Sequence, residues 1–236
     1  MIRPRTFVTG LVAGLLCAVA LAQTHGPLPG ETASIRTRTI QEEAEAVYRS
    51  GDYPRALDIY RNELAPIGDK YAQYMVGYMY LNGQGVAPDR ATALAWYRLA
   101  TERGQPLLER TRDEIAAEMT PAQRARSDEL YRDLWAQMSD RVLLVALMRK
   151  DVQILSQQSG TRIPGAAFSG PVVVYDRDGK PLGPNYYRDV RKRLQERMDY
   201  LDTRVEIRDD LVADEARRIG QEEAEIRRTL SIIDKR

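Results

Sequence analysis

The stretch that decides the fold runs from Ala72 to Gly104 and reads AQYMVGYMYLNGQGVAPDRATALAWYRLATERG. Alanines and aromatic residues recur at helical spacing on both sides of the loop sequence NGQGVAPD at 82–89. The pattern predicts two helices of about twelve residues each, joined by a structured loop. Small residues allow the two helices to approach closely, and aromatic rings fill the space between neighbouring hairpins.

A second hairpin precedes this one and occupies Glu42–Leu64. The second helices of the two hairpins align at an offset of 37 residues, which pairs Asp52 with Asp89. The same offset pairs ALDIYR at 56–61 with ALAWYR at 93–98. A two-helix unit that returns within roughly 20–50 residues is typical of a helical solenoid.

These residues resemble a Sel-one-like (Sel1-like) repeat, a relative of the tetratricopeptide repeats. The hairpin at Glu42–Leu64 is similar to a plain tetratricopeptide unit, because its turn is five residues shorter. The resemblance implies a fold and identifies no reaction. The matching positions in this chain are Ala72, Gly77, Tyr80, Gly83, Gly85, Asp89, Ala93, Trp96, Ala100 and Gly104.

Three loop residues of this repeat have physical reasons for their identity. Gly83 suits the left-handed conformation that ends a helix. Gly85 allows the loop to fold back on itself. Asp89 is placed to cap the helix that follows. All three roles are structural.

One stripe of the first helix is a candidate partner-binding groove. The stripe is rotated away from the face of Ala72, Val76 and Tyr80, which should form the core. In tetratricopeptide-like solenoids the first helix of each hairpin lines a groove, so the resemblance implies that the stripe faces a peptide. The alternative is that the stripe packs against the next helix. The candidate residues are Tyr71, Tyr74, Met75 and Tyr78.

The composition excludes several classes of function. The chain has 35 Lys and Arg against 34 Asp and Glu, which gives a net charge of +1 and no basic excess for binding nucleic acid. It contains one histidine, His25, and one cysteine, Cys17, so most metal, thiol and imidazole chemistry is excluded. We therefore expect no catalytic residues, no metal site and no cofactor.

Residues 1–22 have the layout of a secretory signal peptide. Arg3 and Arg5 precede an apolar run from Phe7 to Ala22 that ends in small residues. The run is shorter than the roughly 20 residues that span a bilayer comfortably. We expect cleavage and a periplasmic or secreted protein with no membrane insertion afterwards. An uncleaved anchor is the alternative.

The cysteine falls inside the predicted signal peptide. Lipidation at Cys17 is disfavoured because the bulky Leu16 precedes it. The mature chain then contains no thiol, and its stability in an oxidising compartment must come from packing. The following residues, 23–38, are rich in proline and glycine and are predicted to be a flexible linker.

The solenoid is predicted to occupy residues 39–137. Pro106 is placed to open a further helix, and Thr120-Pro121 forms an N-cap followed by proline for another. These two helices form a closing hairpin. Residues 138–184 are predicted to contain a buried helix and then a loop with a short β-strand or hairpin, whose strand is Pro171–Tyr175.

The tail, residues 185–236, carries a strict seven-residue apolar repeat. This predicts a long, charged, coiled-coil-prone helix from Tyr186 to Asp234. Gly220 weakens such a helix, so an interrupted helix and a helix folded back onto the solenoid stand beside pairing into a homo-oligomer. The repeat positions are Met198, Val205, Val212, Ile219, Ile226 and Ile233.

Other candidate chemistry has simpler explanations. The turn at 176–179 begins like a calcium loop, but Pro181 and Tyr187 stand where that loop needs glycine and glutamate. Carboxylate pairs such as Glu42 with Glu45 arise on charged helices by composition.

The sequence as a whole predicts an all-α fold, a short helical-hairpin solenoid with a long C-terminal helix. The predicted function is that of a non-catalytic periplasmic adaptor, which binds an unidentified envelope protein or peptide through the repeat groove. Two alternatives are an envelope hydrolase that uses a serine–lysine or carboxylate pair, and a structural protein that self-assembles through residues 185–236.

Overall fold

The structure is a computed structural model that describes residues 28–29, 34–157, 174–175, 181–183, 185–205 and 210–235. The predicted signal peptide, Cys17, His25 and the turn at 176–179 lie outside these residues. The chain forms two compact units. The described part of the first unit is 34–139, and that of the second comprises 28–29 and the described residues from Asp140 onward.

The first unit is built of helical hairpins. A π-helical turn at Tyr60–Leu64 and a 3-10 turn at Ala65–Ile67 extend its second helix, and a 3-10 turn at Thr101–Arg103 extends its fourth. This architecture confirms the predicted all-α hairpin solenoid. The helices are α1 (Ile35–Ser50), α2 (Tyr53–Ile59), α3 (Lys70–Asn82), α4 (Arg90–Ala100), α5 (Pro106–Ala117) and α6 (Pro121–Met138).

Helix α1 begins earlier than the sequence pattern indicates. Its first residue is Ile35, four positions before the predicted start of the solenoid at Thr39. The reason is a local cap: the Ser34 hydroxyl accepts a hydrogen bond from the backbone N–H of Thr37 at 3.0 Å. Residues 35–38 are therefore helical, and the prediction of a linker across them is wrong.

Helices α3 and α4 lie close together at Gly77. A Cβ atom at this position would lie 2.9 Å from the Tyr97 ring and 3.2 Å from the Ala93 carbonyl oxygen. Both Ala93 and Tyr97 are buried. The absence of a side chain at Gly77 is what lets the tyrosine ring approach the neighbouring helix this closely.

The loop between α3 and α4 folds back onto the preceding hairpin. Gly83 ends α3 at φ 67°, and its N–H donates to the carbonyl of Met79. Gly85 has φ 74°, and a Cβ there would lie 2.5 Å from the Tyr53 carbonyl carbon. Asp89 then caps α4 by accepting from two backbone N–H groups. These contacts agree with the roles that the sequence pattern indicates for the loop.

The aligned helices α2 and α4 occupy equivalent environments. Asp52 caps α2 as Asp89 caps α4. Tyr60 and Tyr97, which are also paired by the offset, are both almost completely buried. Other repeat positions of the longer hairpin are buried as well: Ala72, Ala93, Trp96 and Ala100.

Helix α6 closes the solenoid. It begins with a capping box between Thr120 and Gln123 and packs extensively on α4. The guanidinium of Arg98 in α4 pairs with Asp128 at 2.6 Å and lies 4.3 Å from the centre of the Tyr131 ring. Helix α6 thus covers one side of α4, the second helix of the repeat.

The second unit contains three helices and a pair of two-residue strands among its described residues. Val174–Tyr175 and Pro181–Leu182 pair antiparallel. Most of the predicted strand, residues 171–173, lies outside the described part of the chain. The helices are α7 (Asp140–Ser156), α8 (Tyr186–Arg204) and α9 (Ala213–Asp234), with a 3-10 turn at Asp210–Val212 before α9.

The tail forms two helices, which agrees with the predicted alternative of an interrupted helix rather than with a single long helix. Both α8 and α9 pack against α7, which buries most of the seven-residue stripe within the unit. A single helix of this length leaves the stripe in water unless a second chain covers it, so folding back removes apolar area from solvent within one molecule. The buried stripe positions are Met198, Val212, Ile219 and Ile226.

We predict that Gly77→Ala destabilises the solenoid. Overpacking against the Tyr97 ring costs about 1–3 kcal/mol of folding free energy. This outweighs the roughly 1 kcal/mol by which alanine is favoured over glycine inside an α-helix. Gly220→Ala is the matched control, because only the Arg141 guanidinium, 3.8 Å away, would meet its new Cβ. Urea unfolding followed by circular dichroism should show a lower midpoint for Gly77→Ala and a higher one for Gly220→Ala.

Candidate partner-binding surface

The four predicted groove residues differ in exposure. Tyr74 and Met75 are buried, whereas Tyr71 and Tyr78 are half-buried. The ring of Tyr74 meets Tyr97 of α4 edge-to-face at a centroid distance of 5.6 Å. The stripe is therefore partly core, and its accessible portion consists of the two outer tyrosines.

Tyr74 connects these two outer rings. Its centroid lies 6.1 Å from that of Tyr71 and 6.1 Å from that of Tyr78. Aromatic pairs at such distances stabilise each other by about 0.5–1.5 kcal/mol beyond the area they bury. The three rings form a continuous row along α3.

A carboxylate of α1 fixes one end of this row. Oε1 of Glu45 accepts hydrogen bonds from the Tyr71 hydroxyl at 2.6 Å and from the Tyr60 hydroxyl at 2.8 Å. The Tyr60 and Tyr71 rings also meet edge-to-face at 6.2 Å. Side chains from α1, α3 and the extension of α2 thus converge on a single oxygen atom, which joins the two hairpins.

Burial raises the pKa of Tyr60 and of Tyr71 well above the ordinary tyrosine value. The Glu45 carboxylate adds to both shifts, because it accepts a hydrogen bond from the neutral phenol and repels a phenolate. Both hydroxyls remain protonated donors at neutral pH. Their orientation is consequently fixed by Glu45.

A second pair of tyrosines continues the surface towards the repeat loop. The Tyr48 hydroxyl donates to Oε1 of Gln84 at 2.9 Å, and its ring lies 5.3 Å from that of Tyr53. Burial is the main cause that raises the pKa of Tyr48. Both tyrosines and Gln84 are half-buried. We use the name tyrosine face for the half-buried residues Glu45, Tyr48, Tyr53, Tyr71, Tyr78 and Gln84.

Sequence reasoning missed part of this face. The sequence pattern does not group Tyr48, Tyr53 and Gln84 into one surface, because they lie on three different elements. Glu45 was attributed to composition. The available signal was that Glu45 and Tyr48 lie three residues apart on one helix and so share a face.

Lys70 lies at the start of α3 and is fully buried. Its amino group donates to Glu102 at 2.6 Å, to Gln73 at 3.0 Å and to the Leu99 carbonyl at 3.1 Å. Gln73 in turn donates to the Ala65 carbonyl at 3.1 Å. The charge is therefore paired and hydrogen-bonded, as a buried lysine requires. Its contacts connect α3 with the ends of α2 and α4.

The described part of the chain lacks two further features. No group of three or more His, Cys, Asp or Glu side chains is arranged there to hold a metal ion. Within the same residues, no helix is both long and apolar enough to cross a bilayer.

The family comparison matches the hairpin of α3 and α4 together with its loop. Residues 70–105 form a Sel1 repeat. The sequence resemblance is thereby confirmed for this part of the chain. No curated protein and no solved structure gives a significant match to the chain.

Sel1 repeats are in general modules of protein–protein interaction, and proteins built on them are typically non-catalytic adaptors. The repeat supplies α3, and with it Tyr71 and Tyr78. The part of the tyrosine face that lies on α1, which includes Glu45 and Tyr48, is outside the matched residues.

We predict that Glu45→Ala lowers the free energy of unfolding by about 1–3 kcal/mol, because the buried Tyr60 hydroxyl loses its acceptor. Glu45→Gln keeps an acceptor oxygen of similar position and should cost less than half as much. Glu42→Ala, an exposed glutamate on the same helix, is the control and should be neutral. Equal losses for the alanine and glutamine variants in urea unfolding would contradict the role given to the carboxylate oxygen.

We predict that the solenoid loses stability above about pH 10. The pKa values of Tyr60 and Tyr71 are raised in the folded state, so their contribution is complete below the unfolded value and is lost as the pH rises. Each group adds a slope of about 1.4 kcal/mol per pH unit. Tyr71→Phe should reduce the slope measured by urea unfolding between pH 9 and 11.

Proposed function

We propose that this protein is a non-catalytic periplasmic adaptor that binds a segment of another envelope protein on its tyrosine face. The observation that carries the proposal is the combination of exposure and fixation in Tyr71 and Tyr78. Both rings are half-buried, and both are held in place, Tyr71 by Glu45 and Tyr78 by the ring of Tyr74.

Fixation matters because binding must offset the entropy of ordering each side chain, about 0.5–1.5 kcal/mol for a flexible one. Tyrosines that are already ordered avoid much of this cost and contribute apolar area together with a polar group. Tyrosine is also one of the residue types that dominate binding energy at protein interfaces. The tyrosine face therefore has the composition of an interface and the order of a protein interior.

The charge on the face favours a partner with a hydrogen-bond donor. Glu45 keeps about a third of its side chain exposed, and its Oε2 lies 3.8 Å from the guanidinium of the exposed Arg49. That distance is too long for a hydrogen bond. A lysine, an arginine or a backbone N–H of the partner would meet Oε2 at the centre of the tyrosine face.

The periplasmic location rests on the sequence of residues 1–22. The basic start, the short apolar run and the small residues before Gln23 support export and cleavage. Processing there removes Cys17 and leaves a chain without thiols, which suits an oxidising compartment.

The buried Lys70 does not support the hydrolase alternative. The three hydrogen bonds that the Lys70 amino group donates, to Glu102, Gln73 and the Leu99 carbonyl, connect the start of α3 with the end of α4. A general base needs a lone pair directed at a substrate, and a paired ammonium group offers none. We assign Lys70 a structural role.

Self-assembly through the tail would require the apolar stripe to be available for contact with a second chain. Met198, Val212, Ile219 and Ile226 are buried within the second unit, so the apolar stripe is covered by the chain itself. We therefore propose binding of a different protein in preference to pairing of two tails.

We predict that Tyr78→Ser reduces partner capture at least about tenfold with little change in melting temperature, because its ring is half-buried and lies outside the core. Tyr74→Ala, in contrast, removes a buried ring and should unfold the repeat. Tyr187→Ser in α8, another half-buried tyrosine, is the matched control.

The experiment expresses the tagged chain with its own N-terminus in a Gram-negative host, and purifies it from the periplasmic fraction after cross-linking. N-terminal sequencing reports the cleavage site, and mass spectrometry compares the proteins captured by wild type, Tyr78→Ser and Tyr187→Ser. A partner that is captured equally by all three would exclude the tyrosine face as its binding site. Material confined to the cytoplasm would exclude the location.

A further inference from the structure

The second unit contains a buried arginine whose contacts reach a distant part of the chain. Arg197 of α8 is 1% exposed. Its Nε donates to the carbonyl of Pro29 at 3.0 Å, a residue 168 positions earlier in the sequence. Leu28, next to that proline, is 5% exposed. Residues 28–29 thus belong to the second unit, and the prediction of a flexible linker is wrong for them.

An ion pair fixes the arginine in this position. Oδ2 of Asp151 in α7 accepts from Arg197, and Oδ1 of the same carboxylate accepts from Arg193 at 2.5 Å. Asp151 is 2% exposed. A third contact runs from Arg197 to the Leu147 carbonyl at 3.5 Å. The carboxylate therefore sets the direction in which Nε points.

The chemistry of the two sides is complementary. A guanidinium group has only donors, and each of them must find an acceptor when the group is buried. In the sequence Pro27-Leu28-Pro29 both prolines lack an N–H, so the segment offers three carbonyl acceptors and only one backbone donor. Proline also restricts the unfolded chain, which lowers the entropy lost when the segment is ordered.

We infer that Arg197, oriented by Asp151, is a receptor for a leucine-proline segment, and that Leu28-Pro29 of the same chain occupies it. Leu28 supplies the apolar side chain, and the Pro29 carbonyl completes the hydrogen bonds of the arginine. The segment thereby connects residues 28–29 to α8 within the second unit. The inference is independent of the tyrosine face and of any partner.

The first test replaces the leucine in the purified protein. Leu28→Asp should raise the hydrogen–deuterium exchange of amides in α8 roughly tenfold or more and leave α3 and α4 unchanged. Ile35→Asp is the matched control, because Ile35 is another apolar residue of this region and is 79% exposed. Leu28→Ala should give the same pattern with a smaller rise, and it remains informative if the aspartate variant unfolds.

The second test adds the segment in trans. A synthetic peptide of residues 23–33 should bind the Leu28→Asp protein saturably and restore the protection of α8, whereas the same peptide with aspartate at position 28 should not. The wild-type protein, whose receptor is occupied, should bind the peptide at least roughly tenfold more weakly. Unchanged exchange in both Leu28 variants, or equal binding of the peptide by wild type and variant, would overturn the inference.

Discussion

The packing of the repeat depends on the absence of a side chain at Gly77. Because no Cβ is present, the ring of Tyr97 lies against α3, where a methyl group would be 2.9 Å from it. In that position the Tyr97 ring meets the Tyr74 ring edge-to-face, and Tyr74 in turn contacts Tyr71 and Tyr78. The row of rings is therefore ordered from the helix interface outward, and the positions of the half-buried Tyr71 and Tyr78 depend on the glycine at position 77.

Glu45 couples this row to the preceding hairpin. One carboxylate oxygen accepts from hydroxyls on two other elements, Tyr60 and Tyr71, so α1, α3 and the extension of α2 share a common polar point. Hydrogen bonds to a charged acceptor are roughly twice as strong as neutral ones. A face assembled from two hairpins is as fixed as either hairpin alone, and this is the property that an ordered binding surface requires.

The sequence predicts those features that follow from local rules. Gly83, Gly85 and Asp89 act where a helix must end, fold back or begin, and their roles depend on neighbours within a few residues. The sequence left open whether Tyr74 faces a groove or packs against the next helix, because its burial depends on the ring of Tyr97 in a different helix. The structure of the tail could be predicted only in part for the same reason. A seven-residue period predicts an apolar stripe, but it does not determine whether another chain or α7 covers that stripe.

The order of the units along the chain imposes a folding constraint. Residues 28–29 and the described residues from Asp140 onward belong to one unit, so the solenoid is an insertion within its sequence. Joining Pro29 to Arg197 in an unfolded chain closes a loop of 168 residues, which costs roughly 4–5 kcal/mol in chain entropy. A folded solenoid replaces most of that loop by a fixed span, and its own contacts are largely between neighbouring helices, which form early. We therefore expect the solenoid to fold first and the contact of Pro29 with Arg197 to form last.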